Sequence, residues 1–221
     1  MPKLKRAVSV DQLIRKKFID IPLPEGPLKD LLGTPERSGS WFVFGESGNG
    51  KTTFLMQMAK ILASLPKTKV VYNTLEEGAR KSMQAAVEEN CMWHVKSSFQ
   101  ILDKEPIPEL RQRLAAHKSP NICFIDSVQY AHLDKRSYKA LISDFNKKLF
   151  IFNSHAQGKR PVGAIGRDIL FDADIKIRVK GFVAFAKSRL SRGKKPRPYI
   201  IWDQGARDYW GDLQIDEWKK A

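Results

Sequence analysis

The sequence predicts an α/β protein: a mostly parallel central sheet flanked by helices, with antiparallel strands added on its C-terminal side. Three observations carry this. Short apolar runs alternate with polar, helically spaced segments along most of the chain, the pattern of a parallel sheet covered on both faces. One strand-helix junction holds Gly45-Glu46-Ser47-Gly48-Asn49-Gly50-Lys51-Thr52, a complete G-x-x-x-x-G-K-[ST]. Past Ile175 the character changes, and apolar runs follow one another across short turns.

The elements are expected in this order. Val10 to Lys17 reads as a short amphipathic helix, and Ile21-Pro22-Leu23-Pro24-Glu25-Gly26-Pro27 as an extended entry segment, because proline fixes φ and removes donors. Trp41–Phe44 is a short buried strand, and Thr53–Leu62 carries apolar residues at helical spacing. Then come a strand at Lys69–Thr74, a helix over Ala79–Glu89, a strand at Ser98–Leu102 and a helix over Pro108–His117. Asn121–Ile125 is the next strand, Ser137–Lys147 the next helix, and Leu149–Asn153 the strand after it. Ile175–Arg178, Phe182–Lys187 and Tyr199–Trp202 extend the sheet as antiparallel hairpins. The 221 residues, 42% hydrophobic, suffice for one sizeable core and are few for two. We therefore expect a basic N-terminal arm and entry segment over 1–27, one domain over 28–211 and a C-terminal tail over 212–221.

Cys91 and Cys123 stand far apart, so neither a disulfide framework nor a zinc ribbon is indicated. With no secretory leader and no apolar run of the roughly 20 residues that a membrane helix needs, the expected setting is cytoplasmic, without a membrane partner.

The glycine-rich motif has a physical logic. Glycines let the backbone wrap a phosphate, and the amides that open the following helix supply donors and a favourable dipole. Gly45, Glu46, Ser47, Gly48, Asn49, Gly50, Lys51, Thr52 and Thr53 are the expected nucleotide-binding residues. Lys51 would place its charge on the β/γ-phosphates and Thr52 its hydroxyl on Mg²⁺, so ATP and Mg²⁺ are the expected cofactors.

Two acidic positions suit such a site. Asp126 ends a strand of apolar residues, which would deliver its carboxylate to the C-terminal edge of the sheet to hold Mg²⁺ through water; an ordinary turn cap is the alternative. Glu76 and Glu77 end the strand from Lys69 in the same way, placed to orient or deprotonate an attacking water, or else to open a helix favourably against its dipole.

The net charge is +15, which favours polyanions, nucleic acid first. One cluster comprises Lys3, Lys5, Arg6, Arg15, Lys16 and Lys17. The other runs from Lys176, Arg178 and Lys180 through Lys187, Arg189, Arg192, Lys194, Lys195 and Arg197, with no acidic residue between its ends. Neutralising phosphates is a direct use of such a run; a solvated face is the other reading.

In this order the residues resemble a known family. The phosphate loop, Thr74-Leu75-Glu76-Glu77 and Ile125-Asp126-Ser127-Val128-Gln129 are similar to RecA-like P-loop ATPases, closest to the ATPase core of the RadA/Sms branch, with the DnaB-type helicase core next. Leu28-Lys29-Asp30-Leu31-Leu32-Gly33 with Gly39-Ser40 resembles that branch's lead-in, and Asn153-Ser154-His155-Ala156-Gln157-Gly158-Lys159 resembles its G-H-V-T-K segment. Asp174 matches an aspartate opening the next strand, and Lys187-Ser188-Arg189-Leu190 matches the start of K-N-R-F-G. The match spans roughly residues 28–202.

The resemblance implies an ATP-hydrolysing protein acting on DNA in recombination, repair or replication, working as a homo-oligomeric ring or filament. It makes Glu76 the catalytic base, Asp126 the Mg²⁺ residue and His155 a γ-phosphate sensor, a satisfied histidine being the other reading. Lys187 and Arg189 would reach a neighbour's γ-phosphate, since two residues apart on a strand they leave one face; membership of the basic stripe is the alternative. A nucleotide-gated DNA- or protein-binding regulator with slow hydrolysis is the competing function. The chain departs from the branch in lacking its four-cysteine module, in Leu190-Ser191-Arg192-Gly193 and in the short Gln129–Ser137 segment. Gln157 to Arg167 is expected as a mobile loop touching single-stranded DNA, with Lys159, Arg160 and Arg167 on phosphates; Arg192, Lys194, Lys195 and Arg197 complete the nucleic-acid candidates.

Overall fold

The computed structural model describes residues 7–189 and 195–220. In chain order the elements are α1 (Val10–Arg15), α2 (Pro27–Leu32), β1 (Gly39–Gly45), α3 (Lys51–Ser64), β2 (Val70–Thr74), α4 (Lys81–Glu89), β3 (Phe99–Asp103), α5 (Ile107–Ala115) and β4 (Ile122–Asp126). They continue with α6 (Lys135–Asp144), β5 (Leu149–Gln157), β6 (Arg160–Pro161), α7 (Gly163–Asp172), β7 (Ile175–Lys180), β8 (Val183–Ser188), β9 (Tyr199–Ile200), α8 (Asp203–Trp210) and α9 (Asp212–Lys220). A 3₁₀ turn at Met92–Val95 leads into β3.

The sheet order is β3-β2-β4-β5-β1-β7-β8-β9, with β6 paired to β5 alone. Every pairing from β3 across to β7 is parallel, and β8 and β9 are added antiparallel. Strand periodicity divides the core in two. Trp41 and Val43 of β1 face Phe54, Leu55, Met58 and Leu62 of α3, whereas Phe42 and Phe44 face the layer of Leu110, Leu114, Tyr138, Leu141 and Ile169 from α5, α6 and α7. The central strands are buried on both sides, so they read as continuous apolar runs.

The expected strands and helices form within a few residues of their predicted limits, and four segments differ. The stretch 157–167 is not one continuous loop: β5 and β6 close a tight hairpin with Gln157 opposite Arg160, and α7 begins at Gly163 and buries Ile169. Tyr199–Trp202 yields only the two-residue β9, after which α8 begins. Residues 212–220, expected as a tail, form α9, whose Ile215 is fully buried against Val183 and Ala206. Helix α1 buries no residue, although Ile21 and Leu23 of the entry segment do join the core. Among the described residues no helix is long and apolar enough to cross a membrane.

Candidate functional site

The glycine-rich loop joins β1 to α3. Gly45 is buried at the end of β1, where a Cβ would sit 2.3 Å from the Val179 carbonyl oxygen; only glycine lets the loop leave the sheet there. Helix α3 begins after Gly50 with no side-chain cap, so its first-turn amides keep their donors for a ligand. The Asn49 side chain braces the loop, accepting from Gly181 N at 2.6 Å and donating to Ser47 O at 3.1 Å. Glu46 accepts from Gly158 N at 2.9 Å. Lys51 Nζ donates to Glu46 O at 2.9 Å, folding the cation back over the loop. Burial lowers the Lys51 pKa, and the nearby Asp126, Glu76 and Glu46 work against that. Thr52 and Thr53 follow, half-buried, in the first turn of α3.

Asp126 lies at the C-terminal end of β4, and its side chain is buried, as the sequence placed it. It accepts hydrogen bonds from the Tyr72 hydroxyl and from Asn153 Nδ2. Burial raises its pKa, against those two bonds, with Glu76 and Glu77 pushing the same way as burial. Tyr72 is raised well above its ordinary range by burial and by the Asp126 charge, so it stays a donor. A carboxylate in this position calls for a cation. Asp126 and the Thr52 hydroxyl are hard oxygen donors of the kind Mg²⁺ takes together with phosphates and water, and Oδ1 of Asn153, the residue that donates to Asp126, is buried with no partner among the described residues. The residues fit Mg²⁺ bound with a nucleotide rather than a protein cage; among the described residues no group of three or more His, Cys, Asp or Glu could hold a metal.

The two glutamates after β2 separate. Glu77 Oε2 accepts from Ser82 Oγ at 2.8 Å, which ties it to the start of α4. Glu76 Oε2 instead meets Ser127 Oγ at 3.1 Å and His155 Nε2 at 2.9 Å. Both contacts fall on one oxygen, leaving Oε1 without a hydrogen-bond partner among the described residues. The parallel registers produce this convergence: Thr74 lies opposite Asp126, and Gly45 opposite His155. His155 is also braced through its backbone, which donates to Gln129 Oε1 at 3.3 Å.

The remaining candidates disperse. Lys187 is exposed near the end of β8, opposite Lys176. Arg189 lies beyond that strand and donates to the Asp172 carbonyl at 2.7 Å, closing the end of α7. Lys159 and Arg160 are exposed on the β5–β6 hairpin, and Arg167 is exposed on α7 rather than on a loop. Arg197 is anchored internally by Trp218 O at 2.8 Å and Asp30 at 3.4 Å, while Lys195 is exposed. Lys3, Lys5, Arg6, Arg192 and Lys194 lie outside the described residues. Sequence reasoning assigned no role to Tyr72, Ser127 or Asn153. Only Ser127, next to Asp126, carried a signal; the other two come from separate strands.

No family model and no curated protein sequence matches the chain. Among solved structures it is similar to the KaiC-like protein PH0186 from the hyperthermophilic archaeon Pyrococcus horikoshii OT3, with a TM-score of 0.58 at 20% identity, over 81% of this chain and 93% of that one. With the sheet order and the loop geometry, that likeness establishes a RecA-like P-loop α/β fold.

Proposed function

We propose that this chain is a Mg²⁺-dependent ATPase that acts on DNA, single-stranded by preference, in recombination, repair or replication, as a homo-oligomer whose neighbouring subunit completes each site. One observation carries the hydrolytic part: the Glu76 carboxylate is held on one oxygen by Ser127 and His155 beside the phosphate loop, and its other oxygen is free. That is the arrangement a general base needs, oriented but with one acceptor open to water.

Lys51 would leave Glu46 O for the β/γ-phosphates, and the loop and first α3 amides would cradle the phosphate chain. Mg²⁺ held by the Thr52 hydroxyl and, through water, by Asp126 would supply neutralisation of phosphate charge. Glu76 Oε1 accepts the water's proton, and His155 holds the carboxylate in place. Because His155 belongs to the strand that continues into the β5–β6 hairpin, its contact with Glu76 gives the hairpin a path to the reacting group.

Support for an assembly comes from the N-terminal arm. Val10, Leu13, Ile14, Phe18 and Ile19 are 52–77% exposed, and a helix of six residues does not hold itself in water; a second copy would cover this apolar surface. Support for DNA comes from the charge of +15 and the resemblance. The test is phosphate release per subunit against protein concentration, with and without single-stranded DNA. A rise with both is expected, and a rate independent of both would overturn the DNA and assembly parts.

A further inference from the structure

On β7, Ile175, Ile177 and Val179 are buried in the core while Lys176, Arg178 and Lys180 alternate with them on the other face, partly exposed. Alternate residues of a strand recur every ~6.7 Å, so these are three cations in a straight row. The antiparallel register then sets Lys187 directly opposite Lys176, and Phe185 opposite Arg178. Like charges directly opposed across two strands destabilise a sheet. Among the described residues, none of Lys159, Lys176, Arg178, Lys180 and Lys187 pairs with a carboxylate. Lys176 and Arg178 reach only the carbonyls of Phe171 at 3.4 Å and Gly158 at 3.3 Å, and Lys180 lies over the Trp210 ring at 5.0 Å. The nearby acids are used elsewhere: Asp168 and Asp172 pair with Lys135 and Lys139 of α6, and Asp203, Asp212 and Asp216 surround Arg207.

These five cations line a single cavity of about 540 Å³. Its floor is β7 and β8, and Leu170 of α7 and Trp210 of α8 stand on its walls; among the described residues no carboxylate lines it. Lys180 and Lys159 of its lining each neighbour a backbone amide that is hydrogen-bonded to the phosphate loop, Gly181 N to Asn49 and Gly158 N to Glu46.

We propose that this trough seats a single-stranded nucleic acid, whose phosphates lie along Lys176, Arg178, Lys180 and Lys187 and whose bases stack on Trp210 as Lys180 leaves that ring for a phosphate. The inference rests on the DNA reading above and gives it a location that adjoins the phosphate loop without using the nucleotide-binding residues. A row of cations suits a repeating anion rather than one phosphate group. Aromatic faces beside the row suit bases that are not already stacked within a duplex.

The test uses the full chain and a fluorescein-labelled deoxythymidine oligomer, read by anisotropy over a range of salt. Lys176→Glu with Arg178→Glu is expected to weaken binding more than tenfold and to flatten the log affinity against log salt slope by about 1.4, two phosphates at about 0.7 each. Lys176→Glu alone places a carboxylate opposite Lys187, so its melting temperature should hold or rise while binding weakens, which a merely structural lysine would not do. Unchanged binding and slope in the double variant overturns the trough and leaves the DNA reading standing. No binding by the wild type overturns both. Duplex DNA bound as tightly as the single strand, with the same loss in the variant, overturns the single-strand assignment.

Discussion

Glu76→Gln isolates the general base. Removing a positioned base costs about 10²–10⁴ in rate, or about 2.7–5.4 kcal/mol at about 1.36 kcal/mol per decade. The geometry confines the loss to kcat. Glu76 touches Ser127 at 3.1 Å and His155 at 2.9 Å and makes no hydrogen bond to the phosphate loop, so KM for ATP should stay within about threefold. Glutamine keeps the shape, and its carbonyl oxygen in the place of Oε2 can accept from both Ser127 Oγ and a His155 Nε2–H, so the melting temperature should not move. Glu77 is the control. Its carboxylate is engaged with Ser82, and Glu77→Gln should leave kcat within about twofold. The assay is steady-state phosphate release with saturating Mg²⁺ and ATP. A Glu76→Gln protein within fivefold of wild type, or equal losses from both variants, would refute the assignment.

Three further outcomes follow from the same geometry. Asp126→Asn removes a charge from a side chain that is only 7% exposed, so without Mg²⁺ and nucleotide the variant should melt at higher temperature while hydrolysis is lost; a lower melting temperature would contradict the description of that carboxylate. Gly45→Ala drives a methyl group to 2.3 Å from Val179 O, an overpacking worth about 1–3 kcal/mol and so a fall of roughly 2–12 °C in thermal melting; an unchanged midpoint would show that the β1–β7 contact is looser than described. Leu13→Asp with Ile14→Asp on the exposed N-terminal arm should lower phosphate release per subunit without moving the melting temperature, and an unchanged rate would count against a site completed by a neighbour.

The sheet was legible because its strands are buried on both faces and so stand out as uninterrupted apolar runs. Helix α7 was hidden by its composition: the stretch from Gln157 to Arg167 is rich in Gly, Lys and Arg, which reads as a loop. Gly166 is there for packing, since a Cβ would lie 3.1 Å from both Pro161 and Ser154. Helix α9 was hidden because it buries only Ile215, too little for a periodic signal. Asp126 and Glu76 could be read from strand ends, yet the choice of Glu76 over Glu77 depends on where Ser127 and His155 arrive from β4 and β5. Likewise, the basic run was visible as a stripe, but its division was not. Cross-strand register gathers Lys176, Arg178, Lys180 and Lys187, while Arg189 and Arg197 turn to carbonyls and Asp30.

The most direct test of the central claim is phosphate release from ATP by wild type and Lys51→Ala, with Mg²⁺ and with chelator. Release by the wild type that requires Mg²⁺ and disappears in Lys51→Ala is the predicted result. Undiminished release in Lys51→Ala, or none from the wild type at any protein concentration, would contradict it.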